Sequence, residues 1–145
     1  MSDTPTDTEP TRSTEADRDA LNTDTMQWVS AIVALAGLGL VAYPFVFEAT
    51  EAAIWNDTMT GTAIFLLAGY NFYRLTRDHL ANVAIASLTT LLGLWALVSP
   101  AVIEMGSSEL AMSTAAGGLL IAALSAYSAY ANNKADTPQT RPARA

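Results

Sequence analysis

The sequence predicts an all-α integral membrane four-helix bundle made of two tandem parallel helical hairpins, and three observations predict it. Of the 145 residues, 51% are hydrophobic and only 14% charged, whereas ordinary soluble domains carry about 25% charged residues. The missing charge is concentrated in four runs without Asp, Glu, Lys or Arg, at 25–47, 58–73, 79–103 and 110–133. The third observation is internal. Sliding the chain against itself by 56 residues brings Gly37 onto Gly93, Pro44 onto Pro100, Glu48 onto Glu104, Thr58 onto Thr114 and Gly61 onto Gly117 without a gap.

Each run is weighed against the roughly 30 Å hydrocarbon core, which about 20 apolar residues cross as a helix. The first run is long enough and carries Pro44 near its far end. The second reaches spanning length only if Ile54 and Trp55 are included. That choice puts Asn56 and Asp57 at the membrane surface, where they are expected to cap the helix and complement its dipole. The third run carries Ser99 before Pro100, and the serine hydroxyl is expected to satisfy a carbonyl that the proline frees. The fourth carries Thr114, Gly118, Ala122 and Ala126 at every fourth position. This stripe of small side chains allows close helix approach, read first as packing inside the bundle, with a homodimer seam as the alternative. Four helices apolar on all sides would leave a soluble protein too little polar surface to cover them.

The flanks differ in composition. Residues 1–24 are rich in Thr, Asp and Glu and contain Pro5 and Pro10, so they are expected to form a disordered acidic tail. Residues 131–145, with Pro138 and Pro142, are expected to form a second disordered tail, leaving 25–130 as the membrane domain. The formal charge of −7 is an average over separate aqueous pieces. Arg12, Arg18, Arg74, Arg77, Lys134, Arg141 and Arg144 all fall on one side of a four-pass topology, and the opposite turns hold Glu48, Glu51, Asp57, Glu104 and Glu109. Because orientation follows the cationic residues, both termini are expected in the cytoplasm, with the chain in the cell membrane. Trp28, Tyr70, Tyr73, Tyr127 and Tyr130 mark that interface, and Tyr43, Phe45, Phe47 and Trp55 the other. No basic patch supports nucleic-acid binding, and the absence of cysteine removes disulfides, thiolate metal sites and thiol nucleophiles.

Two stretches carry a family resemblance. Gly37-Leu38-Gly39-Leu40-Val41-Ala42-Tyr43-Pro44-Phe45-Val46 and Gly93-Leu94-Trp95-Ala96-Leu97-Val98-Ser99-Pro100-Ala101-Val102, with Ala53-Ile54-Trp55-Asn56-Asp57 after the first, resemble the SPW repeat family of small integral membrane proteins. The resemblance covers roughly 26–130, as repeats at about 26–74 and 82–130. Only the proline of the Ser-Pro-Trp motif is kept in both copies, and Ala111-Met112-Ser113 replaces Trp55-Asn56-Asp57 in the second. The resemblance implies two transmembrane helices per repeat and transfers no catalytic residue.

The residues that recur or stand out are Gly37, Pro44, Glu48, Trp55, Asn56, Asp57, Gly61, Gly93, Ser99, Pro100, Glu104 and Gly117, read as a structural repeat motif. Glu48 and Glu104 are expected to be solvated interface groups, and as an alternative they would hold a proton or a cation between them. Asn56-Asp57-Thr58 matches a glycosylation sequon but is expected to serve the fold. His79 is the only histidine and is expected at the surface, and Asn71 and Gln27 are expected near interfacial water. Neither a phosphate loop, a metal-ligand cluster nor a nucleophile with its base appears, so no enzyme, cofactor or metal is expected. The expected function is a structural or interaction module whose partners are the lipid bilayer and other membrane proteins or a second copy. The alternative is a small channel or transporter subunit, which would need polar residues near the membrane midplane.

Overall fold

Helices start where the sequence supplies a hydroxyl or amide. In the computed structural model, which describes residues 24–77 and 82–131, the elements are α1 (Asp3–Val46), α2 (Glu51–Thr76), α3 (Val83–Val102) and α4 (Ser108–Arg144). The Thr50 side chain accepts from the Ala53 amide at the start of α2. Asn82 accepts from the Ala84 and Ile85 amides before α3, and the Ser107 hydroxyl accepts from the Leu110 amide before α4. The cap of α2 is therefore Thr50, and Asn56 and Asp57 lie further along the helix, against the expectation that they cap it. The expectations for the two tails and for His79 fall outside the described residues.

α1 packs against α2 and α4, and α3 packs against α4 and α2. Each hairpin thus closes on itself and shares one flank with the other. Within a hairpin the helices meet at glycines. A Cβ on Gly37 would strike Ile64 and the backbone at Gly61 and Phe65, and one on Gly61 would strike the Gly37 carbonyl. In the second hairpin Gly93 lies against the Ala122 backbone, and Gly118 against the backbone at Gly93, Ala96 and Leu97. Lipid tails are as apolar as leucine, so such backbone contact is a main source of helix association in a bilayer. Thr114, Gly118 and Ala122 are buried while Ala126 is exposed, which is the intra-bundle reading of that stripe.

The outside of the bundle is apolar. Trp28, Phe45, Leu66 and Met112 are among its exposed side chains. Among the described residues, three segments are long and apolar enough to cross a membrane: Asp24–Val46, Val83–Val102 and Ser108–Ala131. α2 is not among them, although its 26 residues extend about 39 Å at 1.5 Å per residue. Asp57, Asn71 and Arg74 dilute its apolar character, and the first two are buried inside the bundle.

Corresponding positions in the first helices are separated by 56. Leu35 and Leu91 are 65% and 63% exposed, and Val46 and Val102 are 73% and 71% exposed. In the second helices the separation is 57. Gly61 and Gly118 both make the close approach, Ala53 and Leu110 are both fully buried, as are Ile64 and Ile121, and Tyr70 and Tyr127 are 48% and 49% exposed. The ungapped register expected from sequence is therefore off by one after the second turn. The extra residue is Gly106, whose φ of 100° is open to glycine and rarely to other residues. Gly117, the expected partner of Gly61, makes only ordinary contacts with Leu40 and Tyr43.

Packing of this kind predicts a sharp contrast among glycines. Gly118→Ala and Gly93→Ala are expected to lower stability by about 1–3 kcal/mol each through overpacking. Gly69, which has open space around it, is expected to accept alanine with no loss, helix propensity adding up to ~1 kcal/mol. Thermal unfolding of the three variants in one detergent measures the difference.

Candidate functional site

Membrane exteriors are apolar, so whatever chemistry this chain offers has to lie inside or at the ends of the bundle. The interior carries Ser30, Asp57, Thr60, Asn71, Thr89, Ser99, Thr114, Ser125 and Ser128, all at most 8% exposed. Asn71, expected near interfacial water, is 4% exposed.

Toward the end formed by the α1–α2 and α3–α4 turns, one polar network ties three helices together. Thr114 on α4 donates its hydroxyl to Asp57 Oδ2 at 2.6 Å. Asn56 Nδ2 donates to Asp57 Oδ1 at 2.9 Å. On α3, Trp95 Nε1 donates to Asn56 Oδ1 at 2.7 Å. Both carboxylate oxygens are thus engaged, which is what a buried acid requires. Asp57 and Thr114 are 57 apart, so they are corresponding residues of the two hairpins in contact with one another. The hydroxyl of Thr58, the sequence counterpart of Thr114 in the 56-residue register, is buried without a partner. Asn56 is committed at both ends of its carboxamide, so the sequon residue serves the fold. Trp95 stands where the first hairpin has Gly39, and Gly39 leaves its space to the ring of Tyr43. Trp55 itself is 62% exposed on the outer face.

The two turns grip one another reciprocally. The Thr50 hydroxyl donates to the Glu104 carbonyl, and the Ser107 hydroxyl donates to the Glu48 carbonyl at 2.8 Å. The Thr50 amide adds a bond to the Met105 carbonyl at 3.1 Å. Glu48 and Glu104 therefore enter this contact through their backbones, and both residues are exposed. Pro44 and Pro100 sit just before it. The carbonyl that Pro100 cannot bond, that of Ala96, accepts from Ser99 Oγ at 3.0 Å, as expected from the sequence.

At the opposite end lies a cleft lined by polar groups of all four helices: Ser30, Asn71, Thr89, Ser125 and Ser128. Its apolar walls include Val29, Val33, Ala68 and Ala86. Between the cleft and the Asp57 network lie Leu40 and Ile64 of the first hairpin and Ala96 and Ile121 of the second, none more than 1% exposed. These four make a dry layer. At 1.5 Å per residue, Ile64 stands about 10 Å from Asp57 and about 10 Å from Asn71 along α2.

No group of three or more His, Cys, Asp or Glu that could hold a metal ion occurs among the described residues. A family model described as the SPW repeat domain matches residues 27–128. No curated protein and no solved structure matches the chain.

The network predicts strong pairwise coupling. Asp57→Ala and Thr114→Val are each expected to destabilise the bundle, the first more because it leaves Asn56 and Thr114 without their acceptor. A double-mutant cycle on the pair is expected to return a coupling of roughly 0.5–2 kcal/mol. Additive losses in denaturant titrations would show that the bond contributes nothing of its own.

Proposed function

The chain belongs to the SPW repeat family, and from that premise we propose that it is a structural or interaction module of the membrane, made of two copies of one hairpin. The copies are related by an approximate two-fold axis along the membrane normal that passes between Asp57 and Thr114. All four helices cross the bilayer of the cell membrane, with both termini on the cytoplasmic side. The cationic residues support this orientation, since Arg74 and Arg77 lie at the same end of the bundle as Asp24 and Ala131, and the charged residues of the turns at the other end are all acids. At the cationic end Arg77 lies over the Tyr73 ring at 5.1 Å, an arrangement suited to the headgroup level.

The observation that carries the reading is the dry layer of Leu40, Ile64, Ala96 and Ile121. Conduction needs a continuous wet or polar route, and here two polar zones are separated by packed aliphatic side chains. The second reading, a small channel or transporter subunit, is favoured by one specific observation. Ser30, Asn71, Thr89, Ser125 and Ser128 are internal polar groups, but they line a cleft at one end of the bundle and not the midplane that conduction would cross. The dry layer weighs against it. The proposal includes no enzymatic step and no cofactor. Its partners are lipid and another membrane protein or a second copy.

Reporters fused after residues 52, 76, 108 and 135 are expected to read outside, inside, outside and inside. A cytoplasmic signal at 52 or 108 would reject the orientation. In proteoliposomes the wild-type chain is expected to leave sodium and potassium flux at the protein-free level, while native mass spectrometry after gentle extraction retains a partner or a second copy. Flux that grows on Leu40→Ser would favour the conduit reading instead.

A further inference from the structure

Three carbonyls in the last turn of α2 are satisfied without an arginine side chain. The Thr76 hydroxyl donates to the Tyr73 carbonyl at 2.7 Å, the Arg77 amide to the Arg74 carbonyl at 3.1 Å, and Gln27 Nε2 on α1 to the Leu75 carbonyl at 3.2 Å. Carbonyls at a helix end otherwise attract cationic side chains. Here the Arg77 guanidinium is released from that task. It lies over the exposed Tyr73 ring at 5.1 Å, and no described residue gives it a carboxylate partner. Contact with a ring uses the charge of the guanidinium and leaves its in-plane N–H donors available. Arg74 repeats the arrangement over Tyr70 at 6.0 Å, so a second cation stands three residues away on the same helix.

We infer that this end of α2 is a binding site for one anionic phospholipid, whose phosphate is held by Arg77 and whose acyl chain lies over Gly69. The planar donors of a guanidinium match two phosphate oxygens at once. Arg74 adds positive charge beside them, and the Tyr70 and Tyr73 rings suit the headgroup level. Gly69 supplies the other half of the site. It has open space around it, while Leu66 and Tyr73, on either side of it along the helix, are 62% and 53% exposed. A residue without a side chain between two large exposed ones makes a depression in the lipid-facing surface. At 1.5 Å per residue Gly69 stands about 12 Å from Arg77 along the axis, a distance that takes a lipid from its phosphate into hydrocarbon. The continuity of cation and apolar depression favours a lipid over a free phosphate.

The second hairpin differs in both halves. By the 57-residue correspondence Tyr127 and Tyr130 stand for Tyr70 and Tyr73, but Ala131 stands for Arg74, Lys134 for Arg77 and Ala126 for Gly69. Lysine is a point charge without the planar fork, and alanine fills part of the depression. The site therefore belongs to the first hairpin, where arginine and open glycine occur together. The inference deepens the proposed interaction module by naming one of its partners, and it rests only on the helices crossing a bilayer. Neither the orientation nor the lack of conduction enters it.

Native mass spectrometry of the full chain in detergent tests the site. Titration with dioleoylphosphatidylglycerol is expected to leave one lipid on the protein, and dioleoylphosphatidylcholine none at the same concentration. Arg77→Gln is expected to weaken retention about fivefold, the scale of one arginine at an anionic surface, and Arg77→Lys by less. Gly69→Leu fills the depression and is expected to weaken retention as well, while Ala126→Leu on the matching face of α4 leaves it in place. Arg18→Gln removes the same charge from the N-terminal segment and serves as the control. Equal retention of the two lipids, or equal loss in Arg18→Gln and Arg77→Gln, reduces the effect to bulk charge and overturns the proposal. So does unchanged retention in Arg77→Gln or in Gly69→Leu. Thermal unfolding without lipid checks each variant, and if one of the two fails to fold the other decides. Topology reporters and flux measurements read none of these outcomes, so this site and the proposed function fail separately.

Discussion

Everything in this bundle depends on how closely two backbones approach at Gly37 and Gly61, and again at Gly93 and Gly118. In water, apolar faces would be driven together by solvent. In lipid that drive between helices is lost, and what remains is contact area, interhelical hydrogen bonds and lipid entropy. Glycine at the crossing brings the helices close enough for Ile64 and Ile121 to be sealed completely. The apolar residues displaced outward, such as Leu35 and Leu91, then become the lipid-facing surface. The hairpins are therefore units whose interior is set before they meet one another.

Joining the hairpins is a different problem, and polar chemistry handles it. The flank between α2 and α3 carries Trp95 to Asn56, and the contact between the second helices carries Thr114 to Asp57. At the turns the grip uses backbone carbonyls and two cap hydroxyls. Thr50 and Ser107 thus do two jobs, accepting from the first turn of their own helix and donating to the other hairpin. A polar group in hydrocarbon that loses its partner has no water to turn to, so these bonds fix the relative placement of the hairpins even where each adds little to stability.

The class of the fold was legible because charge is excluded from four runs and glycine, proline and glutamate recur at a common spacing. The helix crossings were legible in part. Gly37, Gly61 and Gly93 stand at them, but Gly117 was matched in place of Gly118. The cause is physical: one added residue rotates everything after it by about 100° on a helix of 3.6 residues per turn, and Gly106 adds that residue in a turn where sequence similarity is low. A signal was present in the aromatic belt, since Tyr70 and Tyr127, and Tyr73 and Tyr130, are each 57 apart. Asp57 was misplaced for another reason. An acid near the start of an apolar run reads as a cap when only the run is visible, and the helix begins at Glu51 because Thr50 supplies the cap. The interior polar set was hidden because single serines spaced along an apolar run carry no sign of the face they occupy. Its full membership emerged only once the close crossings had fixed the rotation of each helix.

The bond between Asp57 and Thr114 also bears on which hairpins are able to pair. If two first hairpins met in the same geometry, one buried carboxyl would face another, and such a pair costs either repulsion or the uptake of a proton to share. Two second hairpins would set Thr114 against Thr114, a neutral contact. Replacing a symmetric pair by an acid and a hydroxyl therefore discriminates between partners as well as joining them. It commits the first hairpin to an unlike mate, and the short link through Arg77 and Asn82 supplies that mate from the same chain.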